Sequence, residues 1–172
     1  MEHVILVDEM DNEIGTMEKM EAHRLGMLHR AFSIFVFNSK GELLLQKRAA
    51  SKYHSGSLWT NTCCSHPQKN EPIKLTAQRK LKQEMVIEVD LTFSHKFIYK
   101  AYLDHNLIEH EYDYVFIGKY DQDPVLNNQE AEDWKYIPLD AIREEIKSDA
   151  QQFTVWFKLI MQQPEIKNTV LS

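Results

Sequence analysis

The densest chemistry in the chain sits in a few short runs. Cys63-Cys64-Ser65-His66 places a thiol two residues from an imidazole, and Glu109-His110-Glu111 places two carboxylates two residues apart. In extended backbone, residues i and i+2 share a face, so Cys64 points with His66 and Glu109 with Glu111. His23 and His29 bracket a short loop just before an apolar run. Three imidazoles (His23, His29, His66) and two carboxylates (Glu109, Glu111) would make a five-ligand site for a divalent ion such as Zn²⁺ or Mn²⁺. The alternative is a set of surface histidines beside a solvated acidic strand face, since none of these spacings is itself a short ligand motif.

Other residues carry two readings in the same way. Cys64 is a small buried hydrophobe, or a proton donor or nucleophile tuned by a nearby metal or cation. Lys19, Arg48, Lys52 and Lys80 are basic residues in an acidic chain. They form part of a solvated face, or they converge from different elements on a diphosphate, which needs several cations. Glu84 is a surface helix residue, or holds Mg²⁺ between its carboxylate and substrate phosphates. Trp156, with Phe153 and Phe157 nearby, is core, or offers an aromatic face to a cation.

The elements that must position these residues are legible from patterning. His3–Val7 is a first strand, and Asp11-Asn12 signals a turn. Thr16 opens a short helix that ends near Gly26. Ala31–Phe37 is apolar almost throughout, like a strand covered on both faces. Asn38-Ser39-Lys40-Gly41 turns the chain into a returning strand, Glu42–Lys47. Ser51–Gln68 shows no clean period. Ile73–Met85 is an amphipathic helix. His95–Leu103 and Leu107–Gly118 are paired strands joined near Asp104-His105-Asn106. Glu132–Ile137 is a strand, Pro138 starts a helix through Lys147, and Gln152–Gln162 is a final helix. Strands and helices alternating in this way define an α/β or α+β fold.

Composition excludes several classes. The chain has 172 residues, which suggests one domain over 1–172. It carries 20 Lys plus Arg against 26 Asp plus Glu, a net charge of -6, which disfavours a nucleic-acid binder. A hydrophobic share of 43% is enough to bury a core. No apolar run approaches the roughly 20 residues needed to span a bilayer, so no membrane partner is expected. The N-terminus lacks a basic region and a long apolar segment, unlike a secretory signal. The only two cysteines are adjacent, too close for an ordinary disulfide, which fits a reducing, cytoplasmic setting.

Trp59-Thr60-Asn61-Thr62-Cys63-Cys64-Ser65-His66-Pro67 resembles the signature around the active-site cysteine of type I isopentenyl diphosphate isomerases, members of the Nudix superfamily. Further matches follow in order. They are His23 and His29 before Ala31-Phe32, the basic segment Arg48-Ala49-Ala50-Ser51-Lys52, and a Nudix-type helix from Ala77 to Glu84. Glu109-His110-Glu111 and Val155-Trp156-Phe157-Lys158 complete the set. The resemblance covers nearly the whole chain, and the Cys-x-His-Pro run with a downstream Glu-x-Glu is its specific part.

The resemblance implies a Nudix α/β/α sandwich around a mixed sheet. It implies one divalent metal, Mn or Zn, held by His23, His29, His66, Glu109 and Glu111. It implies Mg²⁺ bound with the substrate diphosphate through Glu84 and the carbonyl of Cys64. Lys19, Arg48, Lys52 and Lys80 map to diphosphate-contacting positions, with Lys80 where Arg is usual. Cys64 and Glu111 map to the catalytic pair, Tyr99 to an assisting tyrosine, and Trp156 to the late tryptophan motif; on physical grounds its indole face is expected to stabilise the cationic intermediate. The partner implied is a small allylic or homoallylic diphosphate, acted on by a monomer or weak homodimer. Rivals are a Nudix pyrophosphohydrolase, disfavoured because only Glu84 closes the helix, and a catalytically silent metal-binding module. Two departures stand out. Met85-Val86 replaces the usual Leu-Gly, where glycine would cap the helix with φ > 0. Val155 replaces the proline before the tryptophan, so the start of the final helix is expected to shift.

Overall fold

The computed structural model describes residues 1–167. Its organising element is β3 (His29–Phe37), the apolar run extended backwards to the second histidine. Successive side chains of a strand point to opposite faces. Phe35 and Phe37 accordingly join one core, while Phe32, Ile34 and Val36 join another. All five are fully buried, which explains why the run is apolar without alternation.

Around β3 the described residues form a nine-stranded mixed sheet. β1 (His3–Val7) and β2 (Glu13–Glu18) form an antiparallel hairpin, and β1 joins β3 through Leu6 and His29. β4 (Glu42–Arg48) returns from β3 and pairs with β5 (Trp59–Thr60) and with β9 (Ala131–Pro138). The intervening turn is held by the Asn38 carboxamide, which accepts the Lys40 and Glu42 amides at 3.1 and 2.9 Å. β6 (Cys63–Ser65) pairs with β3 over Phe32–Ile34. β8 (Ile108–Lys119) runs parallel to β3 along its whole length, and β7 (Thr92–Tyr102) closes against β8. Because Phe32–Ile34 pair with both β6 and β8, those two strands lie on opposite edges of β3.

Helices cover both faces. α2 (Ile73–Met85) packs Ala77, Leu81 and Met85 on Phe32, Ile34, Val36 and Cys63. On the other face, α3 (Leu139–Ser148), α4 (Val155–Met161) and α5 (Pro164–Lys167) contribute Ile142, Trp156, Phe157, Ile160 and Ile166 to the second core. This is the α/β/α sandwich around a mixed sheet that the sequence predicts. α1 (Lys19–Leu25) lies apart and packs Ala22 on Val4 and Leu6 of β1.

Several boundaries differ from expectation. Thr16 does not open a helix; Gly15, Thr16 and Met17 pair with Leu6, Ile5 and Val4. The hairpin ladder captures the segment, and α1 starts only where the Glu18 carboxylate accepts the amides of Met20 and Glu21. The final helix begins at Val155 rather than Gln152. Ala150–Gln152 is a single 3-10 turn, Phe153 bridges to Trp59, and the Thr154 hydroxyl caps α4 by accepting the Phe157 amide. β5 and β6 lie inside the stretch without a period, because two or three residues are too few to show one. Val86 keeps the left-handed cap of α2 (φ 55°, ψ 39°) despite its branched side chain, and its amide donates to Lys82 O at 3.0 Å.

Candidate active site

The site is a polar cavity between the sheet and its loops. Four buried residues, His23, His29, His66 and Glu111, have ligand atoms that all lie within 4.8 Å of one another, and His23, His66 and Glu111 line the cavity. Four separate elements deliver them. His23 is in the last turn of α1, His66 follows β6, and His29 opens β3 directly opposite Glu111 of β8 in the parallel register.

Hydrogen bonds fix which ring nitrogen faces inward. His23 Nδ1 donates to Lys19 O at 2.7 Å and His29 Nδ1 to Met27 O at 2.8 Å, leaving each Nε2 free to face the cluster. His66 turns Nδ1 toward the Glu2 carboxylate at 3.7 Å and Nε2 toward Glu111 Oε1 at 3.3 Å. His29 Nε2 is buried, with no hydrogen-bond partner among the described residues, 3.4 Å from Glu111 Oε1. Metal-ligating imidazoles show this arrangement, one nitrogen held by an oxygen and the other presented to the ion. The donor set fits a divalent metal.

Glu109 stands apart from these four and groups with His23 and His54. The expected five ligands are thus one cavity's worth of donors in two overlapping sets. The Tyr99 hydroxyl bridges the carboxylates, reaching Glu109 Oε1 by a very short contact and Glu111 Oε2 at 2.8 Å. A hydroxyl has one proton, so one of the two carboxyls must carry its own. Glu109 is that group: burial, with the Glu111 charge adding, pushes its pKa well up. Burial also opposes ionisation of Glu111, but the His29 and His66 imidazoles outweigh it and hold that carboxyl well below the usual range.

Cys64 lines the cavity from β6, paired with Ser33 of β3. Its neighbour Cys63 points to the opposite face, fully buried against α2, where its thiol donates to Glu84 Oε2 at 3.2 Å. Burial pushes the Cys64 thiol far up, so it is protonated at neutral pH. Glu84 also lines the cavity, and burial, reinforced by Glu130, raises its pKa.

The cations converge as expected. Lys19, Arg48, Lys52 and Lys80 all line the cavity, from α1, the end of β4, the following loop and α2. Two are paired with carboxylates: Lys19 with Glu2 and Lys52 with Glu130, both at 2.7 Å. Arg48 lies over the Trp156 ring, 5.1 Å from its centroid, and donates to His54 O at 3.2 Å. Its Nε and the Trp156 Nε1 are both buried, with no hydrogen-bond partner among the described residues. Trp156 belongs both to the α4 core and to the cavity wall, so neither sequence reading alone describes it.

Some cavity residues escaped sequence reasoning. Glu2, Gln46, Tyr53 and His54 line the site, yet none belongs to a spaced pair. Only His54 left a signal, as a histidine two residues beyond a candidate phosphate-binding lysine.

A NUDIX domain family model matches residues 27–157. Among solved structures, a Deinococcus radiodurans protein superposes with a TM-score of 0.77 at 17% identity, covering 92% of this chain and 97% of its own. The MutT protein from Methanosarcina mazei gives 0.67 at 16% identity, covering 83% and 96%. At such identities the likeness concerns the fold alone. Fold and family model together define a Nudix-domain protein. The curated relatives are more specific. Isopentenyl-diphosphate Delta-isomerase 2 of Photorhabdus laumondii is 51% identical over 93% of this chain and 90% of its own. Isopentenyl-diphosphate Delta-isomerase 1 of Aromatoleum aromaticum is 52% identical over 91% and 89%. The chain belongs to the isopentenyl-diphosphate Delta-isomerase family. Among the described residues, no helix is long and apolar enough to cross a membrane.

Proposed function

We propose that this chain, acting as one cytoplasmic domain, interconverts isopentenyl and dimethylallyl diphosphate in isoprenoid synthesis. The observation that carries the reading is a pair of titratable groups in one cavity held in opposite proton states. Cys64 is kept protonated by burial, and Glu111 is kept ionised by His29 and His66. An unactivated alkene is a poor base, so a positioned acid must protonate its terminal carbon, which creates a tertiary carbocation. A base across the substrate then takes a proton from the carbon nearer the diphosphate. Cys64 and Glu111 serve as that pair, and the reversible reaction uses the same two groups in both directions. The Tyr99 hydroxyl, shared between Glu109 and Glu111, steadies the carboxylate and its proton. Trp156 offers its face to the cation and excludes water.

Lys19, Arg48, Lys52 and Lys80 bind the diphosphate, with Lys19 and Lys52 exchanging their carboxylate partners for phosphate oxygens. A divalent ion, Mn²⁺ or Zn²⁺, is held by His23, His29, His66, Glu109 and Glu111, and supplies charge that lowers the proton affinity of its carboxylate ligands. Glu84 and the carbonyl of Cys64 would hold Mg²⁺ with the diphosphate, where it would neutralise phosphate charge. The substrate is a homoallylic or allylic diphosphate, and the chain acts on it as a monomer or weak dimer. The test is incubation with isopentenyl diphosphate followed by product analysis. Rearrangement to the allylic isomer is expected. Phosphate release would instead indicate a hydrolase, and an unchanged substrate a silent metal-binding module.

A further inference from the structure

His54 is 4% exposed, lines the cavity and has no role in the reaction as described above. Its ring repeats the arrangement of the neighbouring histidines: Nδ1 lies 3.0 Å from Ser55 Oγ, and Nε2 faces inward, 3.9 Å from Glu109 Oε2. His54, His23 and Glu109 form the second set of donors whose ligand atoms lie within 4.8 Å of one another. The loop holds it firmly. Ser55 and Ser57 take left-handed φ of 53° and 62°, a conformation that side chains rarely adopt. The Ser57 amide donates to Arg48 O at 3.0 Å. A Cβ on Gly56 would stand 2.7 Å from Ala50 O, so only glycine fits between them. Strain of this kind persists where surrounding structure over-determines it, and it collects at functional sites.

We propose that His54 is a sixth donor to the divalent ion, completing a set of four imidazoles and two carboxylates. The proposal rests on the His/Glu metal site of the preceding section. His23 has only one nitrogen to give, because Nδ1 is committed to Lys19 O. The two donor sets share that nitrogen, so they cannot serve two ions. A single ion where they meet gathers His23, His29 and His66 with Glu111 from one, and His54 with Glu109 from the other. Glu109, whose second oxygen is tied to Tyr99, is thereby brought into the shell together with His54. Six donors suit octahedral geometry, and a nitrogen-rich set favours Zn²⁺ over Mn²⁺.

The test is a count of ligating imidazoles in the full chain loaded with Co²⁺, where each bound ring gives a hyperfine-shifted, exchangeable N–H proton resonance. Four such resonances are expected in the unaltered protein and three in His54→Gln. Three in the unaltered protein would overturn the proposal even if no variant folds. Competition titrations supply the second readout. His54→Gln is expected to weaken Zn²⁺ binding about 10–100-fold or more, and Mn²⁺ binding less, so that the preference between the two ions narrows. Equal affinities in variant and parent would also overturn it. His66→Ala serves as the control: if it too retains full metal affinity, the His/Glu site itself fails, whereas loss of metal in His66→Ala alone would confine the failure to His54.

Discussion

Replacing Trp156 separates a catalytic wall from an ordinary core residue, because its position exposes it to both descriptions. The ring is 2% exposed and packs with the α4 core, yet one face carries the Arg48 guanidinium 5.1 Å from its centroid. The indole thus already holds a cation in the free protein. A desolvated cation–π contact is worth about 2 kcal/mol or more. If the carbocation gains that much from the ring, Trp156→Leu should lower kcat roughly 30-fold, since each 1.36 kcal/mol is tenfold. Trp156→Phe keeps a weaker π-face and should fall between. The loss belongs to kcat rather than KM, because the cation exists only after binding. Both variants will also be less stable. Leucine in a space shaped for indole should cost about 2–3 kcal/mol. For a chain of this size that lowers Tm by roughly 4–12 °C. Kinetics of the folded fraction, measured at a temperature well below both midpoints, remove that contribution. Equal kcat for Phe and Leu, beside an unequal Tm, would refute the cation role and leave Trp156 as core.

The adjacent cysteines form an internal control: Cys64→Ala should abolish isomerisation, while Cys63→Ala should keep most activity and lose about 1 kcal/mol of stability from the α2 interface. The reverse activities would show that the cavity face has been assigned to the wrong residue. Val86→Gly should raise Tm by about 1–4 °C, because relief of the left-handed conformation, about 1–2 kcal/mol, exceeds the extra freedom glycine gives the unfolded chain. The Val86 side chain is 54% exposed and offers little packing to lose, so a lower Tm in urea-free melts would count against this account of the cap. Chelator-treated protein should show a peaked pH profile of stability. His23 and His54, held down at about 4 and about 3 chiefly by burial, leave the folded state taking up fewer protons than the unfolded one below about 6.5. Stability therefore falls as pH drops from there. Burial works against charge on His66 too, but Glu111 and Glu2 hold it up at about 9, so its contribution is complete below about 6.5 and is lost as pH rises through 9. Adding Zn²⁺ should flatten the alkaline arm, because ligation takes deprotonated imidazoles; a metal-free Tm that climbs steadily from pH 6 to 9 would contradict the His66 assignment.

What could be read from the sequence was whatever repeats at a short period or sits in a spaced pair. β3 was legible because its apolar run reports burial on both faces. Glu109 and Glu111 were legible because a two-residue spacing in a strand fixes a common face. β5 and β6 were not, being too short to show a period, although β6 carries Cys64. β2 was misread because Thr16 and Glu18 look like a helix start, and only pairing with β1 makes that segment a strand. His54 and Glu2 reach the cavity through loop geometry and a chain end folded back beside α1, neither of which leaves a pattern. The left-handed Val86 marks the limit of propensity reasoning. Val125 and Asn127 donate their amides to the carbonyls of Met85 and Glu84 at 3.0 and 2.9 Å, and those tertiary bonds hold a cap that the residue itself disfavours.

The placement of the proposed acid and base follows from one feature of the sheet. A proton must be delivered on one side of a small alkene and removed on another, so the two groups need separate supports with room between them. β3 provides this by accepting β6 on one edge and β8 on the other. Cys64 rides on the first neighbour, beside Ser33, and Glu111 on the second, beside His29. Along β3 the two levels, Ser33 and His29, lie four residues apart. A shared strand would have put the two groups in one environment, and their proton states would have moved together. Separate strands let burial act on the thiol while the imidazoles act on the carboxylate. The cations need no such separation, and they reach the cavity from α1, the end of β4, the loop after it and α2.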